Sequence, residues 1–269
     1  MKIYFACCAT KEPYHCINVG CKTVLLSYHY YKKEISFIQQ LLSENVDVFI
    51  DSGAFSAENS GKNIDIQDYI KFLKLTGAKT YAGLDVIGNA KATMVNQKIM
   101  EEAGLSPIPT FHIGEHENDL YDLVSQYDYI ALGGMVMSPK IEKWLDAVWN
   151  RMLKIKQNIK VHAFGMTNIT LIAKYPWYSV DSSSFKSGKR FGRLILYNSE
   201  TNKWNTLNYN DWLKKYYALT FDKRILEDRL YQYAFTDGIS ALSYQRYVDY
   251  INSKEQNFAH VTAQQGLFG

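Results

Sequence analysis

The sequence predicts a (β/α)8 barrel of the TIM type that continues into a β-hairpin and a helical extension. Three features lead to this fold. Between residues 3 and 181, short apolar runs alternate with amphipathic stretches. The apolar runs are nearly continuous rather than alternating, as strands buried on both faces of a parallel sheet must be. Two of the runs end in an aspartate followed by small residues, the arrangement by which such a barrel opens its strand ends to a ligand.

Strands are expected at 3–6, 23–28, 46–51, 80–86, 108–113, 129–133, 160–165 and 177–181. Between them, 33–43, 66–75, 90–103, 117–126 and 141–155 carry Leu, Ile or Phe at helical spacing among Lys, Glu and Gln, and are expected as helices. Eight repeats favour a closed barrel over an open doubly wound sheet, and the sequence leaves open whether 3–6 is a barrel strand or an accessory one. Beyond Asp181, 191–197 and 203–209 flank Asn198-Ser199-Glu200-Thr201-Asn202 and read as a hairpin. Tyr-rich helices are expected at 211–218, 224–235 and 244–253, followed by a polar tail from 256 to 269. Residues 1–195 form the expected barrel and 196–269 an extension packed on it, within one domain overall.

A chain of 269 residues with 47% hydrophobic content can bury one large core. A net charge of +3 does not demand a nucleic-acid partner, so any basic surface must be local. No apolar run reaches the length of a membrane span, and no secretory leader is expected before the first strand. The chain therefore reads as cytoplasmic, with reduced thiols and no membrane partner. The four cysteines, Cys7, Cys8, Cys16 and Cys21, have no CxxC spacing and only His15 and His29 nearby. They are expected as small buried thiols rather than a structural zinc site, and neither a metal nor a cofactor is expected.

The two strand-end acids are Asp51, in Val48-Phe49-Ile50-Asp51-Ser52-Gly53-Ala54-Phe55, and Asp181, in Tyr178-Ser179-Val180-Asp181-Ser182-Ser183-Ser184-Phe185. Two such carboxylates suit cleavage of a glycosidic-type bond, one as nucleophile and one as acid and base. Either acid read alone is equally a helix N-cap. Other strand ends carry groups that a bland barrel has no use for. Asp85 lies in Leu84-Asp85-Val86, and His112 with Glu115 in Thr110-Phe111-His112-Ile113-Gly114-Glu115. Gly133 and Gly134 are paired in Ala131-Leu132-Gly133-Gly134-Met135, where backbone amides can approach a planar ligand. His162 lies in Val161-His162-Ala163-Phe164-Gly165. Taken singly, the glycines suit a tight turn and each histidine a satisfied core position.

Together these segments resemble the tRNA-guanine transglycosylase superfamily, barrel enzymes that exchange guanine in a polynucleotide for a 7-deazaguanine. Ile50-Asp51-Ser52-Gly53-Ala54-Phe55 is similar to the family's Asp-Ser-Gly-Gly-aromatic motif, and Leu132-Gly133-Gly134-Met135-Val136 to its Gly-Gly base-recognition loop. Val180-Asp181 with the following Lys186-Ser187-Gly188-Lys189-Arg190 resembles its Phe-Asp motif and trailing basic segment, and Val24-Leu25-Leu26-Ser27-Tyr28-His29 its first barrel strand. The resemblance covers residues 23–193. It implies that Asp181 is the nucleophile toward the anomeric carbon and that Asp51 handles the proton of the leaving or entering base. It also implies that Asp85, Ser52, His112, His162 and the Gly133 and Gly134 amides bind the base, with Phe55 stacked on it. Lys186, Lys189, Arg190 and Arg193 would hold phosphates.

The chain departs from the pattern in ways that redirect the substrate. No cysteine follows Cys21, so the zinc-binding subdomain of the tRNA enzymes is absent. His112 stands where the family has a Gln. Met135-Val136-Met137-Ser138-Pro139 replaces a segment ending in Gly-Glu and looks more like relatives that take 7-cyano-7-deazaguanine. Short zinc-less members of bacteria and phages modify DNA. The resemblance therefore implies base exchange in DNA, in a bacterial cytoplasm or from a phage-encoded chain, with tRNA as the alternative substrate. Two other classes stay open: an N-glycoside hydrolase or base exchanger on small nucleosides, and a non-catalytic barrel subunit. The Tyr-rich extension suits a homodimer face or a partner protein as well as a helical cap.

Overall fold

The computed structural model describes the backbone of residues 1–135 and 140–265; the side chains of Lys189 and of 255–265 lie outside the described residues. The strands are β1 (Lys2–Cys7), β2 (Thr23–Ser27), β3 (Asp47–Asp51), β4 (Thr80–Tyr81), β5 (Thr110–His112), β6 (Tyr129–Gly133), β7 (Lys160–Ala163) and β8 (Ser179–Ser182). Their spatial order is β4-β3-β2-β1-β8-β7-β6-β5. The ring closes through a parallel bridge between Ala82 and Ile108, where Ile108 N–H donates to Tyr81 O at 2.9 Å and Gly83 N–H to Ile108 O at 3.0 Å. The fold is thus the expected TIM barrel, and β1 is one of its strands, hydrogen-bonded to β2 in parallel register from Phe5↔Val24 to Cys7↔Leu26.

Helices alternate with the strands as the apolar periodicity requires. The helix Ile66–Thr76 begins at Asp65, whose carboxylate accepts from the Gln67 and Asp68 amides, and ends at Gly77 in a left-handed conformation. The helices Ile35–Ser43, Ala90–Glu102, Glu117–Gln126 and Ile141–Ile155 match the expected ones. Short helices at Glu12–Ile17, Tyr28–Tyr31, Ala54–Asn59 and Ile169–Lys174 were not legible, because four to six residues are too few to display a helical period.

Successive residues of a strand face opposite sides, so each barrel strand sends every second side chain inward. Tyr4, Leu25, Phe49, Ala82, Ile108 and Ala131 form one buried cluster, with Ala6, Tyr129 and Phe164 packed against it. Phe49 is wholly buried there, its ring 5.4 Å from Tyr4 in an edge contact and 5.8 Å from Phe164.

The chain divides into two compact units. The barrel holds Tyr4–Pro13 and Lys22–Ser182, while the second unit gathers Met1–Ile3, Tyr14–Cys21 and the chain from Ser183 onward. The barrel unit ends at Ser182. Within the second unit β9 (Arg193–Asn198) pairs antiparallel with β10 (Lys203–Asn208), confirming the hairpin. The Asn198 carboxamide accepts from the Glu200 and Thr201 amides at 2.9 and 3.0 Å and shapes the turn. The helices Tyr209–Thr220 and Arg224–Glu227 follow, and one long helix, Arg229–Gln265, replaces the two separate segments expected. Gly238 within it serves close packing: a Cβ there would meet His15 O at 2.8 Å and Val19 Cγ1 at 3.0 Å. This unit has its own cluster of Tyr209, Leu213 and Ile225 with Trp212, Tyr216, Tyr217, Tyr231 and Phe235. Among the described residues no helix is long and apolar enough to cross a membrane.

Phe49→Ala leaves a cavity inside a closed ring of strands that cannot collapse freely. It is expected to destabilise the protein by about 3–5 kcal/mol. Urea denaturation followed by tryptophan fluorescence measures this, and a loss below about 1 kcal/mol would show that Phe49 is not central to the barrel core.

Candidate active site

Asp51 is the last residue of β3 and lies opposite Ser27, the last of β2, in the parallel register. Asp181 is the third residue of β8, and Asp85 follows β4 and the closing bridge. All three carboxylates therefore stand at the carboxyl end of the barrel, the face on which barrels of this kind carry their chemistry. They sense one another. Burial raises the Asp51 carboxyl to about 7, the negative charges of Asp85 and Asp181 add to the rise, and the Gly53 amide opposes it. Asp51 thus exchanges a proton near neutral pH, the range in which an acid–base group is most effective.

His112 closes β5 and pairs in register with Gly133, the last residue of β6. A Cβ on Gly133 would meet His112 Cδ2 at 2.6 Å, so glycine there is what lets the imidazole lie across the neighbouring strand. The ring is held from both sides, with Nε2 3.3 Å from Asp85 Oδ2 and Nδ1 3.3 Å from Glu115 Oε1. Glu115 Oε2 also accepts the His112 amide at 2.8 Å. Burial alone would lower the imidazole pKa, but the bonds and charges of Asp85 and Glu115 outweigh it and raise it to about 10. His112 is therefore a cation wedged between two carboxylates. Both of its ring nitrogens lie against carboxylates, so the ring braces Asp85 from one side. Asp85 keeps its other oxygen, Oδ1, buried and without a hydrogen-bond partner. An unmatched buried carboxylate oxygen is costly unless a ligand donor completes it.

Asp181 is 6% exposed, and its Oδ1 accepts the Gly165 amide at 2.8 Å. His162 lies against that same oxygen, with Nε2 at 3.3 Å. It is 0% exposed among Phe49, Phe164 and Tyr4, with ring centroids 4.6, 4.6 and 6.2 Å away. Burial lowers its pKa against the pull of Asp181, so the ring is neutral at pH 7. This corrects the placement of His162 among base-binding residues, because a fully covered ring beneath Asp181 offers no atom to a base.

The remaining expected residues divide. Phe55 is 65% exposed on the helix Ala54–Asn59 and free to stack, and Gly134 is exposed. Ser52 is buried, with its hydroxyl accepting the Ala54 amide at 3.4 Å. In the second unit Lys186 is 2% exposed, its ammonium 5.4 Å from the Phe185 ring centre, so it is not available to a phosphate and that expectation is corrected. Arg190 and Arg193 are exposed, and Arg190 Nη1 donates to Ser183 Oγ at 3.4 Å. The Lys189 side chain and residues Val136, Met137, Ser138 and Pro139 lie outside the described residues. Ser179, Tyr129 and Glu115 were not assigned roles from sequence. For Ser179 a signal existed: it precedes Asp181 by two positions in a buried strand and so shares its inward face.

Cys7, Cys16 and Cys21 are buried thiols as expected, Cys8 is exposed, which corrects that expectation for it, and burial raises the Cys21 thiol to about 12. Among the described residues no group of three or more His, Cys, Asp or Glu is placed to hold a metal ion. A cleft of about 410 Å³ bordered by Lys79, Thr80, Glu101, Ile108 and Tyr129 opens at the amino-terminal ends of β4 and β6, away from the carboxylates. The converging charges, not the cleft, locate the site.

No protein-family profile and no curated protein matches the chain. Among solved structures, a mutant tryptophan synthase alpha-subunit from Pyrococcus furiosus is similar, at 11% identity over 70% of this chain and 90% of that one, with a TM-score of 0.48. Tryptophan synthase from M. tuberculosis in an open form matches at 10% identity over 70% and 86% of the two chains, with a TM-score of 0.47. A Pseudomonas aeruginosa protein assigned as a dihydrodipicolinate synthetase matches at 6% identity over 68% and 69%, with a TM-score of 0.46. These are likenesses of chain path, and no residue role is transferred from them.

The raised Asp51 pKa has a signature in stability. Folding binds a proton to Asp51 between its ordinary value of 3.8 and about 7, so its contribution worsens as pH rises through that window and is constant above it. Asp51→Asn lacks this penalty. Its melting temperature relative to the wild type is expected to climb from pH 4 to pH 7.5 and then level off, corresponding to a few kcal/mol. A difference that does not change with pH would show that Asp51 titrates normally in the fold.

Proposed function

We propose that this chain is a guanine transglycosylase that replaces guanine in DNA by a 7-deazaguanine, 7-cyano-7-deazaguanine being the favoured incoming base. The observation that carries the reading is the meeting of three differently prepared carboxylates at one barrel mouth. Asp51 is poised near neutrality by burial and by the charges of Asp85 and Asp181. Asp181 is tied down at one oxygen. Asp85 is braced by His112 with a buried oxygen unmatched. The motif resemblance gives these groups complementary tasks.

In the first step a carboxylate oxygen of Asp181 attacks the anomeric carbon of the deoxyribose while the bond to guanine N9 breaks. The electron pair leaves with the base, which takes the proton of Asp51 as it departs. Positive charge develops on the sugar, and the anion of Asp181 stabilises it. In the second step N9 of the incoming base attacks the same carbon, its proton passes to Asp51, and the Asp181 carboxylate is released. Two displacements at one carbon retain the anomeric configuration. The unmatched Asp85 oxygen suits the N–H donors of the guanine edge, and Phe55 offers a stacking face.

Exposed Arg190 and Arg193 supply positive charge for a phosphate backbone. The burial of Lys186 favours a second reading, the same exchange on free nucleosides, because it removes one of the cations expected to hold phosphates. The two are separated by incubating the protein with labelled guanine and guanine-containing single-stranded DNA, tRNA or guanosine under matched salt. Incorporation into DNA supports the proposal. Incorporation into tRNA alone overturns the DNA assignment, and exchange into guanosine alone overturns the polynucleotide.

An adduct that survives denaturing electrophoresis is expected when the wild type meets its DNA without an incoming base. Asp181→Asn should lose it while still melting cooperatively, since the amide is isosteric and a poor nucleophile. An undiminished exchange rate in that variant would remove Asp181 from the mechanism.

Removing the Asp85 carboxylate strips a charged acceptor from the base, worth roughly 1.5–3 kcal/mol. Asp85→Ala should therefore narrow the preference for guanine over adenine in competition assays by at least tenfold. An unchanged preference would place base recognition elsewhere.

A further inference from the structure

A chain of polar side chains runs through the barrel interior beneath Asp181. Tyr129, the first residue of β6, places its hydroxyl 2.7 Å from Ser179 Oγ, at the start of β8. Ser179 Oγ is in turn 2.7 Å from His162 Nδ1, on β7. His162 Nε2 lies 3.3 Å from Asp181 Oδ1. Ser179 and His162 are both 0% exposed and directly opposite in the parallel register, so each is the natural partner of the other. The contact between Nε2 and Asp181 is not a well-aligned hydrogen bond, which is common for catalytic contacts before a ligand is bound.

We propose that Tyr129, Ser179 and His162 form a directed line of hydrogen-bond donors that fixes the histidine with its proton on Nε2 and thereby positions Asp181 as an ionised carboxylate with Oδ2 as the attacking oxygen. The inference rests on the exchange reading for the attack itself. The direction follows from donor bookkeeping. With the proton on Nε2, the Tyr129 hydroxyl donates to Ser179, the Ser179 hydroxyl donates to Nδ1, and the ring N–H faces the carboxylate. With the proton on Nδ1, the Nε2 lone pair faces the oxygen lone pairs of Asp181, and the two repel unless Asp181 is protonated and no longer a nucleophile. Only the first arrangement matches an anion held in this place. Oδ1 then receives two donors, the Gly165 amide and the imidazole, and reactivity is left on Oδ2.

The surroundings reinforce the choice. Phe49 and Phe164 cover the ring, and burial keeps it neutral, so it acts through its tautomer rather than its charge. The titratable groups facing it among the described residues are Asp181 on β8, Tyr129 on β6 through Ser179, and Tyr4 on β1 at a ring distance of 6.2 Å. Burial raises the phenols of both tyrosines, so each remains a donor across the working pH range. A packing role alone would be met by an apolar residue at 162 and 179. An apolar pair would also avoid the cost of desolvating three polar groups. His162 is a positioning residue in this scheme, and Ser179 and Tyr129 set its tautomer.

The first experiment is a long-range ¹H–¹⁵N correlation spectrum of the histidine rings at pH 7, with His162 assigned by comparison with His162→Gln. The wild type is expected to carry the proton on Nε2, and Ser179→Ala and Tyr129→Phe to shift toward a mixture of tautomers. A wild-type proton on Nδ1 overturns the proposal whatever the exchange assay shows. The second is the single-turnover rate of adduct formation on guanine-containing DNA at pH 7. Ser179→Ala should slow it by roughly 10- to 100-fold, because the imidazole no longer holds its N–H toward Asp181. Tyr129→Phe should slow it by less, and neither should change the affinity for DNA. Wild-type rates in cooperatively folded Ser179→Ala and Tyr129→Phe overturn the positioning role. A wild type that forms no adduct on any guanine substrate defeats the exchange reading, while the tautomer measurement still decides whether the line of donors is directed as stated.

Discussion

Placing negative charge at the mouth of a closed parallel barrel is the constraint on which the rest of the site depends. Eight strands leave an interior filled by side chains, so a carboxylate pointing inward at a strand end loses most of its water. Burial, with the charges of Asp85 and Asp181, pushes the Asp51 carboxyl up to about 7. Each of the three strand-end acids is answered in a different way: Asp51 by retaining a proton near neutral pH, Asp85 by an imidazolium, and Asp181 by a backbone amide and a neutral imidazole. Three chemically equivalent side chains thereby acquire three different behaviours. Divergent environments of this kind are how like side chains come to take different acid–base roles.

The two histidines show how environment sorts identical side chains. His112 sits between Asp85 and Glu115 and is charged, whereas His162 sits among aromatic rings and is neutral. Their neighbours on the adjoining strand differ accordingly. Opposite His112 stands Gly133, which yields space for the ring, and opposite His162 stands Ser179, which yields a hydrogen bond. Both imidazoles touch an aspartate, one as a cation that braces it and one as a dipole that can only orient it.

The polar inclusions run vertically through an otherwise apolar interior. At the amino-terminal end Tyr4 donates to Asp47 at 3.1 Å and Tyr129 meets Ser179. Phe49, Ala131 and Phe164 fill the space around them. Such groups are costly in a core unless satisfied, and a satisfied line has a definite geometry. The second unit has its own aromatic cluster, and within it His15 Nδ1 and Asp237 Oδ2 lie 3.0 Å apart.

Strand positions, the hairpin and the strand-end acids were legible in the sequence because they rest on local periodicity and on residue type at a run's end. Asp51, Asp85 and Asp181 each close an apolar run, and Gly133 ends another, so their common face followed from the fold class alone. What tertiary structure decided is which of these groups meet. His112 and His162 read alike along the chain, and only strand order places one between two acids and the other beneath Asp181. Lys186 reads as an available cation shortly after Asp181, yet it is buried against Phe185 within the second unit. Gly238 lies inside the long helix where His15 and Val19 leave no room for a Cβ, a neighbourhood that no local pattern displays. Residue type and spacing carry the chemistry available to a site, but protonation state and exposure depend on neighbours far along the chain, because electrostatic and packing energies follow distance in space.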